Sequence, residues 1–402
     1  MTTRLPTPTT SLVPVPSTAV VDPEAGPVEV TVVLSDGTEI GRIVDGDSVG
    51  IPTAYASVVS RAWHHVASGS GVVPTSPAWA DPALSGSVLT LALDPNVEAV
   101  VDDVLARWSG SPEAGIAAVV VDNETGLVLA ARSTGSGFDV GRRFPVASLA
   151  QVFTTIAALE AGFDVDSLWD ASSPQEFVVD EGVWTVIDPG GDAEDRVVTL
   201  GDGLVLAHNT VAAGVAVEIG PEPIHDVARR LGVDPFTDGS TVPPSIAVGA
   251  GEIDLFQAAT MFATIARGGI RTDATVIALL VDENGAVLYE TPEPSEAVVD
   301  PAVIAAVRAP LAAVTERGTG TRARLAEPQI GKTATGQDFA VTWYVGSTDR
   351  YTAAVVVARS DGRPLVDLTF GGQAFARVYG GTLPAPIWAD IMMAMGEHVD
   401  PP

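Results

Sequence analysis

Apolar positions along the chain repeat with two periods, and the change between them organises the molecule. Val28-Glu-Val-Thr-Val-Val-Leu34 alternates every second residue, as a half-buried strand does, and Ser-Asp-Gly follows as a turn. A helical stretch is expected over 55–66, and then a Ser/Gly/Pro-rich segment that reads as a linker. From Ser87 the pattern becomes denser. Residues 88–93 read as a strand, and 96–108 as a helix introduced by Asp94-Pro95. The apolar runs 116–122 and 127–131 flank Asn-Glu-Thr-Gly and predict a hairpin. Helical spacing predicts helices over 148–161, 206–218, 222–231, 254–267 and 300–314. A second hairpin is expected over 276–289 around Asp-Glu-Asn-Gly. Strands are expected at 329–335, 340–346 and 352–358, with a closing helix over 384–395. Hairpins at both ends with helices between them predict an α+β fold, an antiparallel sheet flanked by helices, and not a strand–helix alternation.

Composition narrows the function classes. With 402 residues, 46% of them hydrophobic, the chain can bury a sizeable core. A formal charge of −30 argues against nucleic acid and against anionic membrane surfaces, because phosphate binding needs clustered Lys and Arg. The absence of cysteine excludes disulfides, thiolate metal sites and cysteine nucleophiles. Five scattered histidines without a His-Glu-x-x-His pair disfavour a metal enzyme, so neither metal nor cofactor is expected. No apolar run approaches the ~20 residues of a membrane helix. Residues 1–27 lack the apolar core of a signal peptide and, being rich in Pro and Thr, are expected to form a disordered or extended tail.

Three short motifs carry candidate chemistry. Ser148 follows Pro145-Val-Ala at the head of an apolar helix; on spacing alone it is more simply a helix cap than a nucleophile. As a nucleophile it would lie at the positive end of the helix dipole, with Gln151 on the same face. Leu206-Ala-His-Asn-Thr210 opens another apolar helix, and Asn209 or Thr210 could cap it. Ile330-Gly-Lys-Thr-Ala-Thr-Gly336 contains Gly-Lys-Thr, yet Ala326 stands where a phosphate loop needs glycine, and a strand follows where a helix should. Read alone, it is a strand with a lysine.

The order and spacing of the three motifs resemble the transpeptidase domain of penicillin-binding proteins over roughly 87–395. Further stretches carry the likeness: LTLALDPNVEAVVDDVLARW, AAVVVDNETGLVLA, PSIAVGAGEIDLFQAATMFATIARGGI, GTGTRARLAEPQIGKTATGQDFAVTWYVGST and GGTLPAPIWADIMMAM, the last as in bifunctional members. The resemblance implies a β-lactamase-like fold with a helical subdomain, and an acyl-serine formed on the D-Ala-D-Ala end of a peptidoglycan stem peptide or on a β-lactam. By position, Ser148 would be the nucleophile and Asn209 would orient the substrate amide. Lys332, helped by Thr333 and Thr335, would receive the substrate carboxylate. The backbone N–H groups of Ser148 and Thr335 would form the oxyanion hole.

Three departures stand against that chemistry. The lysine of the family's Ser-x-x-Lys is Gln151, whose amide accepts no proton at ordinary pH. The serine of Ser-x-Asn is Ala207, and the glycine of Lys-Thr-Gly-Thr is Ala334, whose methyl is expected to crowd its neighbours. His208, next to Ala207 on the expected helix, would face elsewhere. The expected organisation is a tail (1–27), a small N-terminal segment with linker (28–86), the transpeptidase-like domain (87–396) and a short C-terminal tail (397–402). Within 28–86, a faint likeness to the start of a glycosyltransferase domain aligns Ala62-Trp63 with that family's catalytic Glu-Asp pair. The expected function is a catalytically impaired binding or scaffold protein of cell-wall synthesis. The alternatives are an active D,D-transpeptidase or carboxypeptidase, and a slowly acylating β-lactam sensor. The resemblance implies an extracytoplasmic place in the cell envelope, with a stem peptide, a β-lactam or other cell-wall synthesis proteins as partners.

Overall fold

The computed structural model describes residues 27–68, 84–135, 138–180, 182–188, 191, 196–237, 239 and 241–398. The expected N-terminal tail, save its last residue, most of the linker and the C-terminal tail from residue 399 lie outside these residues.

The strands Ile330–Thr335, Val341–Ser347, Tyr351–Arg359, Ala114–Asp122 and Val128–Thr134 form one sheet in that spatial order, antiparallel throughout. Its middle is buried on both faces. Ala117, Val119 and Val121 enter one apolar core, and the alternate Ile116, Ala118 and Val120 enter the other. A strand covered on both sides has no polar face, which is why this stretch reads as an unbroken apolar run. Helices Pro95–Trp108 and Pro384–His398 cover one face through Val97, Val101, Ile387 and Trp388. The first begins as predicted: Asp94 Oδ1 accepts from the N–H of Asn96 at 2.8 Å, and Pro95 takes the first turn, where its missing N–H costs nothing. Helix Leu255–Ala266 backs the other face through Phe256 and Phe262, and Ala150–Glu160 joins the same core through Phe153.

A second sheet has the order Val287–Glu290, Ile277–Val281, Ser87–Leu91, Glu29–Val33, Glu39–Val44, Asp47–Val49. Glu29–Val33 and Ser87–Leu91 pair in parallel. Val30, Val32 and Trp63 therefore share one core with Leu89 and Leu91. The expected α+β arrangement is the one observed.

One local expectation is corrected. The helix expected over 206–218 is two helices, Leu200–Leu206 and Asn209–Ile219, broken where Ala207 adopts φ 60°. Ala207 and His208 therefore do not share a helix. Two unanticipated ribbons, Leu168–Asp170 with Val197–Thr199 and Gln175–Val179 with Gly182–Val186, lie beside the second of these helices.

Candidate functional site

Ser148 is not a helix cap. It sits in the 3₁₀ turn Ala147–Leu149 that runs into Ala150–Glu160, and its side chain makes no capping bond. The residue before it, Ala147, has φ 50°, a conformation that costs a residue with a Cβ roughly 1–2 kcal/mol. Close packing holds it there. Ala147 N–H donates to Gly249 O at 3.3 Å and Val146 N–H to Gly251 O at 3.1 Å. A Cβ on Gly249 would fall 2.2 Å from Ala147 O, so only glycine permits the approach. Trp343 Nε1 donates to Pro145 O at 3.0 Å and ties the turn to the sheet. Ser148 is 7% exposed, and among the described residues nothing is hydrogen-bonded to its Oγ.

Gln151 lies one helical turn on, buried. Its Nε2 donates to Asn209 Oδ1 at 3.0 Å, and Asn209 Nδ2 donates to Ile187 O at 3.2 Å. The first two motifs are thus joined directly. A glutamine keeps the N–H donor that a lysine would offer Asn209 and loses the basic nitrogen. The φ of Ala207 turns the chain between the two helices, and its methyl offers no hydroxyl for a proton.

Lys332 is on the edge strand Ile330–Thr335, which packs against the turn carrying Ser148. Its ammonium donates to Thr333 O at 3.1 Å and, among the described residues, has no carboxylate partner. It is fully buried, and burial lowers its pKa from 10.5 to about 7. Thr333 Oγ1 shares a hydrogen with Thr319 Oγ1 at 2.5 Å, and Thr335 Oγ1 accepts from Gly380 N–H at 3.1 Å. The methyl of Ala334 packs into the main core, and close backbone approach is met instead by Gly380, whose added Cβ would lie 2.7 Å from Ala334 O.

Sequence reasoning missed Asp188, the buried partner of His208. His208 Nδ1 donates to Asp188 Oδ2, which makes a carboxylate–imidazole pair. The pair backs onto a cavity of about 10 Å³ lined by Gln151, Thr155, Leu204 and Val211 among others, and Ser148 is not part of its wall. His208 therefore borders a space that Ser148 does not line. Asp188 lies in a segment with several other carboxylates, so only the fold singles it out. Among the described residues no cluster of His, Asp and Glu is arranged to hold a metal, and no helix is long and apolar enough to cross a membrane.

Comparison with known proteins agrees with this architecture. The sequence model of the penicillin binding protein transpeptidase domain matches residues 116–393. Penicillin-binding protein 1A of Mycobacterium tuberculosis is 26% identical over 339 residues, 76% of this chain and 39% of its own length. Penicillin-binding protein 1A of Mycolicibacterium smegmatis is 27% identical over 78% of this chain and 42% of its own length. The chain thus spans about two fifths of those relatives. Among solved structures, penicillin-binding protein PonA1 from M. tuberculosis superposes with a TM-score of 0.68 at 23% identity, covering 79% of this chain and 86% of that one. Penicillin-binding protein A from the same organism, solved as a ceftriaxone acyl-enzyme complex, superposes at 0.66 with 18% identity, covering 92% and 98%. On the strength of the domain match, the chain belongs to the penicillin-binding protein transpeptidase family.

Proposed function

We propose that this domain keeps the ligand-holding half of a penicillin-binding site and has lost the acylating half, serving cell-wall synthesis as a binding or scaffold protein. The observation that carries the reading is the pairing of Gln151 with Asn209 beside a Ser148 that is hydrogen-bonded to no base among the described residues. Proton transfer by a positioned base typically contributes ~100–10,000-fold, and both proton carriers of the first two motifs are replaced. What remains suits binding. Lys332, a cation without a carboxylate partner among the described residues, suits a ligand carboxylate, with Thr333 and Thr335 beside it. Asn209 suits a peptide amide, and the N–H groups of Ser148 and Thr335 suit a carbonyl oxygen. The ligand class is a D-Ala-D-Ala stem peptide or a β-lactam, and the expected place is the cell envelope outside the cytoplasmic membrane.

One observation favours a second reading, an active enzyme or slowly acylating sensor. Burial lowers the pKa of Lys332 to about 7, so near neutral pH part of the protein carries this amine unprotonated, on the strand that packs against the turn carrying Ser148. Intact-protein mass spectrometry after prolonged incubation with a reactive penicillin separates the two, with Ser148→Ala in parallel. The binding-protein reading expects no covalent adduct from folded protein, together with reversible β-lactam binding that Lys332→Ala weakens at least tenfold. A one-equivalent adduct absent from Ser148→Ala would overturn it.

A further inference from the structure

Behind Gln151, the Asp188–His208 pair takes no part in the ligand site just described. Both residues are buried, and nearly every polar atom of the pair is accounted for. Asp188 Oδ1 accepts from Thr210 N–H at 3.0 Å, and Oδ2 accepts from Thr210 Oγ1 at 3.3 Å and from His208 Nδ1. The N–H of Asp188 donates to Ser173 Oγ at 2.9 Å. A carboxylate accepts only, so the proton of a neutral imidazole is fixed on Nδ1 and Nε2 becomes an acceptor. That Nε2 is fully buried without a partner among the described residues, and so is Gln151 Oε1. Both residues line the cavity of about 10 Å³. Its other polar walls are committed: Thr154 Oγ1 donates to Ala150 O at 2.9 Å and Thr155 Oγ1 to Gln151 O at 2.7 Å.

Two buried acceptors on residues that line one small space call for a group that donates twice. A water does so, and it needs about 10–15 Å³ of such space. We infer that one buried water donates to both His208 Nε2 and Gln151 Oε1, making Asp188 and His208 positioning residues for Gln151 and Asn209. The bonds then run outward from the water along two branches. His208 donates to Asp188, the water donates to His208 and to Gln151, Gln151 donates to Asn209, and Asn209 donates to Ile187 O. Ile187 is the residue before Asp188, so the chain closes into a ring. Every polar atom of the Gln151 amide is engaged except one amide hydrogen. This rests on the reading of Gln151 as a strut in place of a base and deepens it, because the ring needs an acceptor at position 151 and lysine offers only donors.

The test begins with the unaltered full chain. A high-resolution crystal structure is expected to show a water within hydrogen-bond distance of both atoms, and ¹⁵N NMR a neutral His208 protonated at Nδ1. An empty cavity, or a proton on Nε2, would overturn the ring. A double-mutant cycle with His208→Phe and Gln151→Leu gives a second arm. Each single change is expected to shift the folding equilibrium about tenfold or more, by stranding the other acceptor. The double variant is expected to fall well short of the product of the two shifts, whereas a simple product counts against a shared water. In His208→Phe the side-chain amide resonances of Gln151 and Asn209 should move, which a mere packing role for His208 would not require. Penicillin acylation is scored separately: an adduct on Ser148 with the water in place would sink the loss-of-activity reading while leaving the ring standing.

Discussion

Lys332 is the only lysine in the chain, and the fold buries it completely. Taking an ammonium out of water with one carbonyl as acceptor is costly, which is why its pKa falls to about 7. Between about 7 and the ordinary 10.5 the unfolded chain holds the proton and the folded chain does not, so stability rises with pH across that window. Well below about 7 both states are protonated and the penalty is complete. Replacing Lys332 by methionine, of similar length and without charge, is therefore expected to stabilise the protein most at or below neutral pH. The gain should be on the order of a few kcal/mol, at roughly 1.4 kcal/mol for each pH unit by which the pKa is lowered. It should fade as the pH is raised towards 10.5. Urea unfolding of both proteins across that range checks it, and a gain independent of pH would mean that the lysine is solvated. On the proposed binding reading, a ligand anion arriving beside Lys332 would offset that cost. Ligand binding should accordingly take up a proton near neutral pH.

At the scale of elements, the site depends on two turns that place alanine in the left-handed region, Ala147 before the serine and Ala207 before the asparagine. Ala207 ends one helix so that Asn209 can begin another at the angle that brings it to Gln151. Ala207→Gly should stabilise the fold by up to about 1 kcal/mol. It relieves roughly 1–2 kcal/mol of strain and adds about 0.5–1 kcal/mol of chain entropy. A rise in thermal midpoint is the expected readout, and a fall would show that the methyl contacts outweigh the strain. The same turn marks the limit of what the sequence discloses. Leu-Val-Leu-Ala-His-Asn contains no glycine or proline, so its periodicity reads as one helix. By contrast, Asp94-Pro95 and Asn-Glu-Thr-Gly announce a helix start and a hairpin in their own chemistry. The ribbons between 168 and 199 were illegible for another reason. Val178 and Val183 pair across one of them at 82% and 65% exposure, so alternation there marks no buried face. Ser148, Gln151, Asn209 and Lys332 could be singled out because they stand in ordered motifs. Asp188 is selected only by the folding of a distant loop onto His208.

On the scale of the whole molecule, the N-terminal segment does not behave as an appendage. Glu29–Val33 lies inside its sheet, between Glu39–Val44 and Ser87–Leu91, and Val58, Val59, Ala62 and Trp63 of the following helix are buried in the core that also holds Phe256 and Ile277. Ala62 and Trp63 thus serve packing, and neither presents a carboxylate. A chain shortened to begin at residue 84 would uncover Leu89, Leu91 and the open edge of their strand. Each buried Val, Leu or Ile contributes roughly 1.5–3 kcal/mol. Losing Val30, Val32, Ile43, Val58 and Val59 together is comparable with the ~5–15 kcal/mol that holds a typical domain folded. An uncovered central strand also invites pairing between chains. The shortened chain is therefore expected to be insoluble or to lack a cooperative unfolding transition, as read by soluble yield and by circular dichroism in urea. A cooperative transition at the full chain's midpoint would instead make 28–86 an independent unit. The outcome bears on the site as well, because the core that holds Val30 also packs Ala147, Leu149 and Phe153 around the serine turn. If truncation loosens that core, reversible β-lactam binding should weaken in any soluble fraction before the fold is lost.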